Sequence, residues 1–323
     1  MLAYASGRLV QTVLVLVIIS FIGFLLVSNL GDPLASLLTA DSTAADRAAM
    51  IKALHLDEPI TTRFLSFFGG LLQGDFGISY RSHEPVAKLI AERLPATVEL
   101  ALASLFITLL VAVPAGVHCG VHPRSALAKA IMFGSIAGVT LPNFVVGIAL
   151  IGIFSVKLGW LPSFGRGQVV DLGFWRTGLL TASGLKAIIL PAIALSTFQV
   201  ALVIRLIRTQ LMEVGLSDHV RFARARGLTD NRIWYVYALR NTLLPVVTML
   251  GLQLGNIIAF SVVTENVFAW PGLGSLFLQS IQAADMPVIS IYLILIGAMF
   301  MVINLFVELS YPLIDPRVLR RKA

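Results

Sequence analysis

The chain has 323 residues, of which 57% are hydrophobic and 13% are charged, and its formal net charge is +7. This is too little charge to cover a soluble globular protein of this length, so lipid must surround much of the chain. The single cysteine, Cys119, excludes an internal disulfide and has no set of metal ligands near it in the sequence. No basic stripe interleaved with aromatic residues indicates binding to nucleic acid.

Apolar stretches long enough to cross a membrane recur along the chain. A spanning helix needs about 20 mostly apolar residues. Because no ten-residue alternating segments indicate a barrel, every stretch is predicted to be helical, and the fold class is all-α with six transmembrane helices. The first is expected to be a retained anchor within 1–30, since its apolar run exceeds a signal-peptide core. The predicted spans are 9–28, 97–117, 131–156, 187–207, 243–263 and 288–314.

The segment 31–96 between the first two spans is predicted to be a small extramembrane region without catalytic groups. Its signals are caps, amphipathic spacing and glycine turns. The predicted elements are a helix over 44–56 capped by Asp41 or Ser42, an amphipathic helix over 61–72, a turn over 74–77 and a helical segment over 86–94.

The distribution of Lys and Arg predicts the orientation. Most basic residues follow spans two, four and six, which places both termini and the tail 315–323 in the cytoplasm. The loop between spans three and four disagrees, because it would carry positive charge outside. Its basic residues are Lys157, Arg166, Arg176 and Lys186.

Polar residues inside the spans are sparse, and packing between helices is the favoured interpretation of each over a role in transport. Glu99 and Glu308 lie near span ends, where interface water is expected to reach them. Without a carboxylate at mid-membrane, the energy source is expected to lie in another protein. The polar positions are Gln11, Asn143, Gln199, Gln253, Asn256, Asn304 and Glu308.

No catalytic motif is present in the sequence. The dipeptide Gly-Lys, which ends a phosphate-binding loop, occurs nowhere, so this chain is not expected to hydrolyse ATP. No Ser/His/Asp, Cys/His or metal-spaced cluster indicates an enzyme or a metal site. We therefore predict a protein that is not an enzyme and has no cofactor of its own.

The loop 208–241 has the pattern of a helix, a glycine turn and a second helix. Ser217 or Asp218 can cap a helix ending near Arg226, Gly227 is expected to be left-handed, and Thr229 or Asp230 can cap a helix that leads into span five. Such a helix across two span ends would act as a lever for a motor subunit. The alternative is an ordinary surface loop whose arginines fix the topology.

Here the residues resemble a known family. Residues 220–229 (VRFARARGLT) and 238–245 (ALRNTLLP) resemble the cytoplasmic loop of permeases from binding-protein-dependent ABC importers, specifically the dipeptide, oligopeptide and nickel branch. Three other stretches agree with the first, B-type, permease subunit of that branch, so the resemblance covers nearly the whole chain. One departure is that Arg221-Phe222-Ala223 stands where the general loop begins Glu-Ala-Ala. The three stretches are 31–33 (GDP), 72–79 (LQGDFGIS) and 265–274 (ENVFAWPGLG).

The resemblance implies a type I ABC importer permease fold over 97–314, in a multi-pass protein of the bacterial inner membrane. The implied partners are a second permease subunit, two ABC ATPase subunits that bind ATP and Mg, a periplasmic substrate-binding protein and membrane lipid. The implied substrates are dipeptides or oligopeptides. A nickel chelate or glutathione is the alternative within the family, and an ATP-independent carrier is the alternative outside it.

Two sets of site residues follow from the resemblance. In the first, the arginines would pair either with the ATPase or with lipid phosphates. In the second, a proline-glycine turn is expected, and anchoring of two aromatic side chains at the membrane interface competes with gating or contact with a binding protein. The ATPase-coupling set is Asp218, Arg221, Ala223, Arg224, Arg226, Gly227 and Leu228, and the periplasmic set is Glu265, Phe268, Trp270, Pro271 and Gly272.

Overall fold

The computed structural model of the chain describes residues 2–30, the isolated positions 43 and 51, and residues 57–314. The 31–33 motif, the caps at Asp41 and Ser42, the predicted helix over 44–56 apart from position 51, and the tail 315–323 lie outside the described residues. The described part is all-α, as predicted, apart from one two-residue hairpin.

Within the described residues we number eleven helices and two strands in chain order. Two π-helical segments, Ile151–Lys157 and Ile233–Ala238, extend α5 and join α8 to α9. The strands pair antiparallel, Val170 with Thr177 and Asp171 with Arg176. The elements are α1 Leu2–Leu30, α2 Ile60–Gln73, α3 Val86–Val121, α4 Ala126–Thr140, α5 Asn143–Leu150, β1 Val170–Asp171, β2 Arg176–Thr177, α6 Ala182–Gly215, α7 Asp218–Ala225, α8 Asp230–Arg232, α9 Leu239–Val267, α10 Leu273–Gln282 and α11 Met286–Ile314.

Five continuous helices among the described residues are long and apolar enough to cross a membrane, namely α1, α3, α6, α9 and α11. A sixth span is present if α4 and α5 with its extension are counted together, although they are bent by 106°. The predicted continuous helix over 131–156 is therefore wrong. Leu141 is extended, with ψ 127°, because the ring of Pro142 disfavours a helical residue before it. Pro114, Pro191 and Pro245, by contrast, lie inside unbroken helices.

Within the described residues, the part 57–94 of the segment before the second span follows its prediction. The amphipathic helix expected over 61–72 is α2, whose Phe64 ring contacts that of Phe21 in α1 at 5.1 Å between centroids. The expected turn is formed by Gly74 and Gly77, both with positive φ. The helical residues 86–94 are the first turns of α3, which continues without interruption into the span.

Helices α3 and α6 form the centre of the bundle, and glycine sets how closely they approach. A Cβ added to Gly116 would lie 2.8 Å from the Cβ of Ile207, and one added to Gly120 would lie 2.8 Å from the Cβ of Leu211. The two glycines are four residues apart and therefore face α6 together, which is the small-residue packing found between membrane helices. The bundle has two ends, which we name the α7 end and the α10 end.

A buried ion pair fastens the loop 158–181 to α3 at the α10 end. Arg166 donates to the Glu99 carboxylate at 2.6 Å, and both side chains are less than a tenth exposed. Trp175 Nε1 donates to the other oxygen of Glu99 at 3.1 Å. The prediction that interface water reaches Glu99 is wrong, because this loop covers the carboxylate. Arg166 and Arg176 are two of the basic residues that disagree with the charge rule, and both have acidic partners. Arg166 pairs with Glu99, and Arg176 pairs with Asp171.

Loss of the arginine from the buried pair is expected to destabilise the protein strongly. Arg166→Met leaves the Glu99 carboxylate buried without its cation, which costs about 3–5 kcal/mol. Arg176→Met is the matched control, because its pair with Asp171 is half exposed on both sides and such pairs contribute about 0–1 kcal/mol. Thermal unfolding of both variants in detergent measures the difference. Equal unfolding temperatures for the two would contradict a structural role of the buried pair.

Candidate functional site

Helix α7 projects from the bundle between α6 and α9. Gly227, two residues after its last residue, has φ 75°, which confirms the predicted left-handed stop. The predicted side-chain caps are wrong. Ser217 occupies the N-cap position, but its hydroxyl donates back to the Val214 carbonyl at 2.6 Å, and Thr229 makes no cap hydrogen bond before α8. Asp218 is instead the first residue of α7, where its carboxylate meets the partial positive charge of the helix end.

One face of α7 is buried against the segment that begins α9. Val220 and Ala223 are 1% and 4% exposed and form a cluster with Ile233, which is fully buried. A second contact joins the end of α6 to the same segment, because a Cβ on Gly215 would lie 2.6 Å from the Trp234 ring. Val214 at the end of α6 packs against the same cluster, so helix α7 is fixed both to the end of α6 and to the segment that leads into α9.

The opposite face of α7 is exposed and combines one aromatic ring with arginines. Phe222 is 64% exposed, and the Arg226 guanidinium lies 5.5 Å from its ring centroid. Arg221 is 3.7 Å from Asp218. Ion pairs this exposed contribute little stability, so these side chains are available to another surface. We name Asp218, Arg221, Phe222, Arg224 and Arg226 the α7 surface.

Phe222 was missed among the predicted site residues. The signal was present in the sequence, because Val220 and Ala223 are three residues apart and share a face, which leaves Phe222 on the other side. Ala223, by contrast, is a predicted site residue that the structure buries, and Leu228 packs beside it rather than outward.

At the α10 end, the motif 265–274 surrounds a buried carboxylate. Glu265 has no exposed surface and accepts hydrogen bonds from Thr97 Oγ1 at 2.7 Å, Ser261 Oγ at 3.0 Å and the Ser275 backbone at 2.9 Å. Ser275 lies in the first turn of α10, where the helix end favours negative charge. Glu265 therefore joins α3, α9 and α10.

The aromatic residues of this motif lie inside the protein. Phe268 and Trp270 are 2% and 1% exposed, and Trp270 Nε1 donates to the Ala96 carbonyl at 2.9 Å. Their interpretation as interface anchors is wrong, because anchors present their rings to the headgroups. Burial also excludes direct contact between Glu265, Phe268 or Trp270 and a docked protein in this conformation. Gating by this motif remains a prediction.

The remainder of the motif makes the predicted turn. Pro271 is partly exposed, and the Gly272 N–H donates to the Trp270 carbonyl at 2.8 Å before α10 begins. Gly272 also permits the approach of the buried carboxylate, because a Cβ there would lie 2.4 Å from Glu265 Oε2.

The 72–79 motif is fastened to the same end of the bundle. Ser79 Oγ donates to the carboxylate of Asp285, which is 2% exposed, and the Tyr80 N–H donates to its other oxygen at 3.1 Å. Burial, together with the Asp285 charge, raises the pKa of Tyr80. This motif therefore holds the segment before α3 against the turn between α10 and α11.

The polar residues of the spans separate into two cavities. Four of them line a cavity of about 510 Å³ bounded by α5, α6 and α9. The other three line a smaller cavity of about 230 Å³ between α1, α9 and α11. The first set is Asn143, Gln199, Gln253 and Asn256, and the second is Gln11, Asn304 and Glu308.

Glu308 lies at the α7 end and is paired. Its carboxylate is 2.9 Å from Arg8 Nη1, which also donates to Gln11 at 3.2 Å. The pair is about a quarter to a third exposed, which agrees with the prediction that water reaches Glu308. It joins the beginning of α1 to the end of α11, so the two described chain ends lie on the same side of the bundle as α7.

A helical bundle with a broken span, a polar mid-span cavity and a projecting helix between two spans defines a membrane transport subunit. The chain belongs to the family of binding-protein-dependent transport system inner membrane components, whose sequence profile matches residues 112–320. The N-terminal profile of such membrane components matches residues 1–101. The family resemblance in the sequence is thus confirmed, and the chain is a permease subunit.

Similar proteins of nearly the same length carry peptide-transport names. The chain is 36% identical over 320 residues to the oligopeptide transport system permease protein AppB of Bacillus subtilis (strain 168). The match covers 98% of this chain and 99% of AppB. It is 33% identical over 329 residues to the dipeptide transport system permease protein DppB of Escherichia coli (strain K12). That match covers 95% of this chain and 97% of DppB.

A solved structure supports the fold. A chain from an inward-facing conformation of the MetNI methionine ABC transporter superposes with a TM-score of 0.54 at 19% sequence identity, over 70% of this chain and 96% of that one. This similarity confirms the predicted type I ABC importer permease fold.

Adding a methyl group beside the buried Glu265 carboxylate is expected to destabilise the α10 end. In Gly272→Ala the new Cβ displaces a side chain that three hydrogen bonds hold in place, and such overpacking costs about 1–3 kcal/mol. Gly134→Ala is the control, because nothing lies within 4 Å of its added Cβ inside α4. Unfolding temperatures in detergent test this. A loss for Gly134→Ala as large as that for Gly272→Ala would contradict the close packing around Glu265.

Proposed function

We propose that this chain forms half of the transmembrane pathway of a peptide importer and that partner ATPases drive it through α7. The observation that carries the proposal is the division of α7 into a buried face, packed on the end of α6 and on the segment that leads into α9, and an exposed face that presents Phe222, Arg221 and Arg226. An aromatic residue among arginines on a short helix suits insertion into a groove of another protein. The family assignment and the names of the relatives support the same function.

The proposed orientation places the α7 end in the cytoplasm, together with both termini. The excess of Lys and Arg in the loops and tail on that side supports it. The basic residues Lys157, Arg166, Arg176 and Lys186 lie on the opposite side and are fewer. The membrane is then the bacterial inner membrane, with the α10 end facing a periplasmic substrate-binding protein.

The proposed mechanism is alternating access. A binding protein delivers substrate, and binding of ATP with Mg closes two ATPase subunits that hold α7 and its counterpart on a second permease. Displacement of α7 must move the end of α6 and the start of α9, because Val220, Ala223 and Ile233 are packed together. Both helices line the 510 Å³ cavity, so the cavity walls move as well. This chain supplies the pathway, and its partners supply the hydrolysis.

The arginines of the α7 surface have two candidate partners, carboxylates of the ATPase and phosphates of the lipid headgroups. Arg226 stacks beside Phe222 and would follow that ring into an ATPase groove. Arg221 and Arg224 lie near Asp218 and Asp230, so each would exchange a weak internal pair for its new partner.

Peptides are the proposed substrates, because the similar AppB and DppB proteins are named as oligopeptide and dipeptide permeases. Nickel chelates and glutathione remain the alternatives of the family. An ATP-independent carrier is disfavoured by the family assignment and by the cavity itself. The described residues that line it include no carboxylate, whereas coupling to protons or sodium ordinarily requires one at that depth.

Charging the exposed face of α7 is expected to detach the ATPases. Phe222→Asp removes the exposed ring and places a carboxylate where an apolar contact is proposed, and loss of such a central aromatic costs at least about 2 kcal/mol of binding. Co-purification of ATPase with tagged permease is therefore expected to fall at least tenfold.

The control is Phe174→Asp, which changes a 90% exposed ring in the hairpin at the opposite end of the bundle. It should retain the ATPases. If wild type and Phe222→Asp recover equal amounts of ATPase, α7 does not dock the ATPases, and its arginines serve only to fix the membrane topology. Phe222→Ala, with an intermediate loss, separates the effect of the missing ring from that of the added charge.

A further inference from the structure

The 510 Å³ cavity lies near the middle of two spans, α6 and α9, and is lined by four carboxamides, Asn143, Gln199, Gln253 and Asn256, so we name it the amide cavity. Gln199 is near the middle of α6, and Gln253 and Asn256 are near the middle of α9. Asn143 begins α5 directly after the break at Pro142. The volume is within the range of about 300–1,000 Å³ that is typical of small-molecule sites.

Hydrogen-bonding capacity in the amide cavity is unused. The Gln199 side chain is only 5% exposed, yet its Oε1 has no hydrogen-bond partner among the described residues. Asn256 Nδ2 reaches Gln253 Oε1 only at 3.4 Å, beyond the usual range for N–H donors. A buried carboxamide oxygen without a partner is costly, which marks Gln199 as a side chain with unused hydrogen-bonding capacity.

The chemistry of the lining defines what it can bind. None of the described lining residues is charged, and none is a His or Cys, so an ionic group has no counter-charge there and a transition metal has no imidazole or thiolate ligand. A carboxamide offers an N–H donor and a C=O acceptor, the same pair that a peptide bond presents. The rest of the lining is apolar and includes Phe144, Phe198 and Phe260.

We propose that the amide cavity binds the backbone peptide groups of a substrate in transit, with Gln199 and Gln253 as hydrogen-bonding residues. The inference rests on the proposed function and adds the recognised chemical group and the residues that contact it. A site that reads the backbone accepts many side chains, since every peptide carries the same amide groups. Phe144 and Phe260 are 43% and 68% exposed, so the cavity is open along one side.

Transport by the whole complex in proteoliposomes tests this. Each vesicle preparation contains both permeases and the ATPases, with saturating binding protein loaded with one of two radiolabelled tripeptides. The two peptides carry side chains of opposite charge and are chosen because the cognate binding protein retains both. The measured quantities are peptide accumulated and ATP hydrolysed.

The variants are Gln199→Leu and Gln253→Met, each of which removes the carboxamide at similar size. Both are expected to lower accumulation of both tripeptides at least tenfold, while ATP hydrolysis stimulated by the binding protein stays within twofold of wild type. Asn304→Leu is the matched control, because it removes a carboxamide from a span that lines the other cavity. It should change neither quantity.

Three results would overturn the inference. Unchanged accumulation would show that these side chains do not contact the substrate. A loss confined to one tripeptide would indicate a site for side chains. A parallel loss of accumulation and ATP hydrolysis, or failure of both variants to assemble, would show a structural role. The proposed function fails separately, if wild-type accumulation proceeds without ATP.

Discussion

The packing of α7 against the segment that leads into α9 is the contact on which any coupling between α7 and the rest of the bundle depends. Val220 and Ala223 are buried on Ile233, and Gly215 admits the Trp234 ring beside them, so one small apolar cluster holds α6, α7 and α9 together. The same two long helices contribute Gln199, Gln253 and Asn256 to the amide cavity. Gln199 is only about 24 Å along α6 from Gly215, at 1.5 Å per residue. In the proposed mechanism, α6 and α9 carry a displacement of α7 to the cavity.

The opposite end of the bundle is fixed by buried carboxylates. Glu265 and Glu99 are both enclosed, and hydrogen bonds fasten the 265–274 motif and the loop 158–181 to residues 96–99 of α3. Each carboxylate has several hydrogen-bond donors, which offsets the cost of burying charge. The α10 end is therefore held by buried polar contacts, whereas α7 at the other end presents an exposed face.

The length of the apolar stretches predicted the positions of the spans, the glycine predicted the turn at Gly227, and the motifs predicted the family. Each of these signals lies in residues that are close together in the sequence. The break at Pro142 could not be predicted with the same certainty, since Pro95, Pro114, Pro191 and Pro245 lie inside continuous helices. The outcome there depends on what packs around each proline.

Tertiary contacts explain the other errors. Glu99 and Arg166 are 67 positions apart, so nothing local indicates that a loop covers the carboxylate. Phe268 and Trp270 have the composition of interface anchors, and only the approach of α3 buries them. Likewise, no single span shows that its carboxamide faces three others. The common cavity of the four carboxamides is therefore visible only in the folded chain.

Labelling of the amide cavity by a thiol reagent tests transmission from α7 most directly. The buried Cys119 is first replaced by Ala, and Asn256→Cys then provides the probe in the whole complex. If movement of α7 reaches the cavity through the cluster of Val220, Ala223 and Ile233, an ATP analogue changes the rate at which the cysteine at position 256 is labelled. Ile233→Ala is then expected to remove this change while the ATPases remain bound. An unchanged response to the analogue in Ile233→Ala would contradict it.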